Sequence, residues 1–153
     1  MFVRVQKKKQ HTRDERRGAA MVEMAVVLPV FFMILMGIVE FGRGMMVTQI
    51  VTNCAREAAR TAILEGSVNT DVDNFVADYM DKSLSLATAD VTTTIIVFDS
   101  AGVEKPNNAI DLAQRLDLIQ VHVAVPYDKV NFIPMRWLDG TMIRGQSVMR
   151  REH

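Results

Sequence analysis

Arg16-Arg17-Gly18-Ala19-Ala20-Met21-Val22-Glu23-Met24-Ala25-Val26-Val27-Leu28-Pro29-Val30-Phe31-Phe32-Met33-Ile34-Leu35-Met36-Gly37-Ile38-Val39-Glu40-Phe41 decides the fold of this chain. From Ala19 to Phe41 there are 23 residues carrying two charges, Glu23 and Glu40. As a helix rising about 1.5 Å per residue the segment covers roughly 34 Å, enough to cross a hydrocarbon core of about 30 Å. The stretch reads as a membrane span, residues 19–41, with a glycine at its charged boundary.

The charge distribution orients that span. The whole chain is neutral, yet residues 1–18 hold Arg4, Lys7, Lys8, Lys9, Arg13, Arg16 and Arg17 against Asp14 and Glu15, a net +5 that the remainder balances with −5. Positive charge just before a span is retained on the cytoplasmic side. Residues 1–18 therefore read as a basic cytoplasmic leader, and the C-terminal part as extracytoplasmic. A basic run can also be a nucleic-acid tail, but one that abuts a span serves as a topology signal, and no nucleic-acid partner is expected. The leader lacks apolar periodicity, so little fixed structure is expected in it. No small-residue cleavage site of the secretory kind follows the apolar stretch, which continues Glu40-Phe41-Gly42-Arg43. The small residues Gly18, Ala19 and Ala20 stand before it instead.

Glu23 lies one turn inside the span. A charged carboxylate deep in a bilayer costs on the order of 2.5–3.5 kcal/mol, so it either sits in the interface or has a cationic partner in the membrane. Pro29 removes a helical hydrogen bond and predicts a local weakness. Gly37, Gly42 and Gly44 make bending plausible over 37–44, and Glu40 with Arg43 is spaced for an i, i+3 pair at the outer interface.

Beyond the glycines an amphipathic helix is predicted over 42–66. Val47, Ile50, Val51, Cys54, Ala58 and Ala62 recur at threes and fours, with Arg56, Glu57 and Arg60 opposite. Cys54, Ala58 and Ala62, and again Ala55 and Ala59, make a small-residue face that lets a sheet or helix approach closely. Gly66 reads as the stop. With one cysteine there is no intramolecular disulfide; Cys54 is either buried as a small apolar residue or paired between chains, and its small neighbours at helical spacing favour burial.

Residues 67–153 then read as a small α/β domain. A second helix is predicted from Asp71 to Leu86, with Thr70 as N-cap and Asp73 at N3 and a stripe of Val72, Phe75, Val76, Tyr79, Met80 and Ser83. Strands follow at Val91–Phe98, rich in β-branched residues, at Leu118–Val125, where Val121, Val123 and Val125 alternate with polar or small neighbours, and at Thr141–Arg150. Between the last two, residues 127–140 read as an irregular loop partly buried by its aromatics. The fold class is α+β: a long membrane-spanning N-terminal helix continuing into an extracytoplasmic domain with a second helix and about three antiparallel strands.

No catalytic pattern is visible. His11, His122 and His153 are scattered, no zinc-ligand spacing or Cys-His pair occurs, and there is no phosphate loop or nucleophile elbow. Asp71, Asp73, Asp78 and Asp81 lie on a polar helix face without a calcium-loop glycine. No enzyme, metal, cofactor or small-molecule substrate is expected.

The leader ending in Gly18, the small Ala19, a glutamate five residues beyond the glycine and an apolar helix resemble the leader of type IV pilin-like proteins. More narrowly, Gly18-Ala19-Ala20-Met21-Val22-Glu23, then Ala25-Val26-Val27-Leu28-Pro29, Glu40-Phe41-Gly42-Arg43 and Ala55-Arg56-Glu57-Ala58-Ala59-Arg60 resemble the TadE family of pseudopilins from tight-adherence (Flp) pilus systems. The ending Ser147-Val148-Met149-Arg150-Arg151-Glu152 is similar to how such chains often end. Met24 stands where the family commonly has an aromatic residue. The resemblance implies a minor pilin or pseudopilin of the bacterial inner membrane, cut between Gly18 and Ala19 by a prepilin peptidase. It implies that Glu23 meets the N-terminal amine of a neighbouring pilin-like subunit during assembly, with pilus assembly proteins and inner-membrane lipid as further partners. The alternative is an uncleaved, single-pass, membrane-anchored binding module.

Overall fold

The computed structural model describes residues 11–132 and 140–152, with side chains from Arg17 onward. The chain divides after Val39 into two units. Helix α1 (His11–Ala62) passes through that division and is continuous at Pro29, Gly37, Gly42 and Gly44. Its described part includes the eight residues before Ala19, so residues 11–18 of the leader are helical rather than unstructured. The polar run His11-Thr12-Arg13-Asp14-Glu15-Arg16-Arg17 contains no glycine or proline to stop a helix already nucleated by the apolar segment after it.

In the first unit, every residue from Arg17 to Val39 is exposed. The helix is long and apolar enough to cross a membrane, and none of its most apolar window is buried in the protein. Hydrophobic side chains on all sides of a helix ask for lipid or other helices around it.

The second unit begins at Glu40 and holds the core. Along its part of α1 the buried residues are Val47, Val51, Cys54, Ala55, Ala58, Ala59 and Ala62, while Arg56, Glu57 and Arg60 face solvent, as their spacing requires. The helix stops at Ala62. The Ser67 hydroxyl donates to the Thr61 carbonyl at 2.8 Å, and Gly66 takes φ +81°, a left-handed turn that suits glycine. Helix α2 (Asn69–Leu84) starts two residues earlier than its polar pattern suggests. Val68, not Thr70, is the N-cap, and the Val68 amide donates to the Asp71 carboxylate at 3.1 Å. A side chain three residues on can satisfy the cap amide whatever the cap residue is. Val72, Val76 and Met80 are buried; Phe75 and Tyr79 lie half-buried, ring centroids 5.9 Å apart.

Strands β1 (Thr92–Phe98), β2 (Leu118–Pro126) and β3 (Met142–Arg150) form an antiparallel sheet in the order β1-β2-β3. Ile119, Val121, Val123 and Val125 of the central strand are fully buried in the same core as the alanine face of α1. The fit is closest at Gly145, which pairs with Val123. A Cβ there would stand 2.7 Å from the Val51 carbonyl oxygen and 2.8 Å from the Thr52 backbone. The strand thus runs against the helix backbone itself, the close approach that small residues permit.

The β1–β2 connection is fixed by polar side chains. Asn69 receives the Ile110 amide at 2.9 Å and donates to the Asn108 carbonyl at 3.0 Å; Asn108 in turn receives the Val97 amide at 2.8 Å. Buried Arg151 donates to the Ile110 carbonyl at 2.8 Å. Asp117, also buried, takes Lys105 at 2.5 Å and the Gln114 amide at 2.6 Å. Burial pushes the Asp117 carboxyl upward, but the Lys105 and Gln114 hydrogen bonds and the charges of Lys105 and Arg151 outweigh it and leave the group below the usual range.

Cys54 is buried, as its neighbours imply, and burial pushes its thiol from 9.0 up to about 12. Between those values the unfolded chain gives up the proton while the folded chain keeps it, so the unfolded state binds fewer protons and stability falls as pH rises. The second unit is expected to lose stability between pH 9.0 and about 12. An alkaline unfolding series comparing wild type with Cys54→Ala checks this, the alanine variant giving the flatter curve.

Candidate processing and assembly segment

Gly18, Ala19 and Glu23 all lie in the exposed first unit of α1. Ala19 and Glu23 are four apart and share one helix face. At Gly18 a Cβ would meet nothing within 4 Å, and the backbone is helical. A glycine inside a helix costs about 1 kcal/mol relative to alanine. The fold gains nothing for that cost at Gly18, in contrast to Gly145, where any side chain would strike backbone. Arg13 and Arg16 fall on the helical leader, Arg17 is exposed, and Lys7, Lys8 and Lys9 lie outside the described residues.

At the other end of the apolar stretch, the i, i+3 spacing of Glu40 and Arg43 does not become a pair among the described residues. Each finds a partner beyond β2 instead. Glu40 is 3 % exposed. Its carboxylate receives the Tyr127 hydroxyl at 2.6 Å and the Phe132 amide at 3.2 and 3.3 Å. Nε of Arg43 donates to the Val130 carbonyl. Burial, then the hydrogen bond and the charge of Glu40, push the Tyr127 hydroxyl from 10.0 up to about 12, with Arg43 pulling the other way. Its titration adds to the alkaline loss of stability described for Cys54. The loop aromatic Phe132 is exposed, not buried; Trp137, another aromatic of that loop, lies outside the described residues.

Neither Glu40 nor its partners form a local pattern, since 87 and 92 residues separate the ends of these bonds. In the sequence, Glu40 is only a carboxylate closing an apolar run, a feature equally suited to a solvated helix surface at the membrane boundary. His122 lies on the half-buried outer face of the sheet. Among the described residues no group of three histidine, cysteine, aspartate or glutamate side chains is placed to hold a metal.

Residues 18–60 match the family model of TadE-like proteins. Over this segment the chain is similar to TadE-like proteins. The match opens on Gly18, runs through Glu23 and Glu40, and ends two residues short of the end of α1. The TadE-like family is one of Tad pilus components, generally structural rather than catalytic. Comparison with curated proteins and with solved structures found no match to the chain.

Proposed function

We propose that this chain is a membrane-anchored minor pilin or pseudopilin of a tight-adherence pilus, cut between Gly18 and Ala19 by a prepilin peptidase. The observation that carries the reading is a TadE-like segment opening on a glycine that the fold does not use, directly before a fully exposed apolar helix. The basic leader holds the N-terminus in the cytoplasm. Cutting on that side removes the cationic anchor and leaves the span whole. The new amine on Ala19 then meets Glu23 of a neighbouring subunit, neutralising a carboxylate that is costly in lipid and setting the axial register.

The mass of the protein recovered from the membrane fraction of cells with an active prepilin peptidase is expected to correspond to a chain starting at Ala19. A chain still beginning at Met1 sinks the reading and leaves the uncleaved anchored module. Gly18→Val is expected to block processing, visible as a gel band running with the full-length chain. Glu23→Ala is expected to be processed normally yet to reduce pilus yield at least about tenfold, the scale of leaving the Ala19 amine without its acceptor; normal piliation removes the pairing step.

A further inference from the structure

The second unit exposes large apolar side chains near its first residues. Phe41 and Phe132 are each 71 % exposed and Met45 56 %. Phe41 and Met45 are four apart on α1 and line one shallow groove with Gly44, Thr48 and Tyr127. Phe132 comes from the far side of the sequence, yet its amide is bonded to the Glu40 carboxylate. That bond holds the Phe132 backbone at the level of the residue next to Phe41.

The chain itself says what lies at that level. Ala19–Val39 is wholly exposed and, but for Glu23, apolar, and as helix it covers roughly 31 Å, the thickness of a hydrocarbon core of about 30 Å. Glu40, the next residue, is enclosed by the second unit and hydrogen-bonded there. A span over that segment would end at residues 39–41, next to Phe41, and it is at such a boundary that apolar side chains of surface-bound proteins bury themselves between headgroups and acyl chains.

We propose that Phe41 and Phe132 form an interfacial anchor, inserted into the lipid surface at the end of the span and held there by the Glu40–Tyr127–Phe132 hydrogen bonds. The proposal rests on the apolar segment being a membrane span; it does not depend on cleavage at Gly18. The partner is a lipid surface rather than a second copy of the chain, because Phe41 continues the apolar run in sequence and the one polar residue between them, Glu40, is enclosed.

Nitroxide side chains introduced at Phe132→Cys, Phe41→Cys, Phe31→Cys and Val103→Cys, one at a time in the full chain reconstituted in phospholipid vesicles, test this by collision with oxygen and with a water-soluble nickel chelate. Cys54 is buried, so wild type reads the background labelling. Phe31 lies in the middle of the apolar segment. Val103 is 63 % exposed beyond the β1 end, opposite the end of β2 that leads into Tyr127. Oxygen-to-nickel collision ratios at 132 and 41 several-fold above that at 103, and below that at 31, are the expected result. A ratio at 132 and 41 equal to that at 103, with 31 still oxygen-rich, overturns the anchor while the span stands. Low collision with both reagents at 132 and 41 means a protein surface covers the rings and also overturns it, in favour of a second copy. Nickel-rich collision at 31 removes the span and the anchor together.

Discussion

Gly145→Ala is expected to destabilise the second unit by about 2–3 kcal/mol, the upper part of the range found when side chains are forced into a packed core, and Gly145→Val by more. The atoms that a Cβ would strike are the Val51 carbonyl oxygen and the Thr52 Cα and amide nitrogen, at 2.7–2.8 Å. None of these is the movable end of a side chain. Either β3 must move off α1, breaking its register with β2 at Val123↔Gly145, or α1 must open a helical turn. Amide exchange in β2 and β3 reads the cost, since each 1.4 kcal/mol or so is tenfold. Roughly 30- to 150-fold faster exchange is expected in the alanine variant at amides that open with the whole unit. Exchange unchanged from wild type would show that the strand and helix do not meet here. Gly18→Ala is the matched control: a Cβ meets nothing there, so exchange in the sheet should not change.

Glu40→Ala is expected to cost about 1–3 kcal/mol, concentrated in the loop after β2 rather than spread over the unit. The substitution removes the acceptor of the Tyr127 hydroxyl and the Phe132 amide, and donors left without an acceptor bear the desolvation they incurred on folding. Phe132 is exposed, so water can satisfy its amide; the half-buried Tyr127 carries most of the penalty. Faster amide exchange over residues 127–132, with the β2 amides near wild type, is the signature. Glu40→Gln keeps an acceptor oxygen and should lose less. Tyrosinate titration separates charge from packing: in Glu40→Gln the Tyr127 hydroxyl falls from about 12 part of the way back toward 10.0, because burial persists while the neighbouring charge is gone. A titration unmoved by Glu40→Gln would mean the carboxylate does not act on Tyr127.

The two substitutions probe different kinds of information. Val47, Val51, Cys54 and Ala58 declare a buried face by their spacing, and Val121, Val123 and Val125 declare another by alternation. Each pattern is a property of one segment, because side-chain direction repeats every 3.6 residues in a helix and every two in a strand. That is why the small-residue face of α1, the burial of Cys54 and the three strands are legible without coordinates. The polar pattern places the start of α2 two residues too late because capping depends on which side chain reaches the first amides. Asp71 and Asp73 are equally good candidates until the backbone direction is known. Glu40 and Arg43 mislead for the same reason: the helix offers that pair, and nothing nearby in sequence announces that Tyr127, Val130 and Phe132 offer better ones.

Residue order alone thus determined an apolar segment long enough to cross a membrane, a basic leader before it, a TadE-like pattern from Gly18 onward and the periodic faces of the helices and strands. Tertiary structure decided that Gly145 meets the α1 backbone, that Asp117 and Arg151 fasten the β1–β2 connection, and that Glu40 closes over the loop after β2. The division has one physical cause. Periodicity is set by the local geometry of a single segment, whereas these contacts join groups up to 94 residues apart, as Gly145 and Val51 are, and exist only once packing has chosen which surfaces meet.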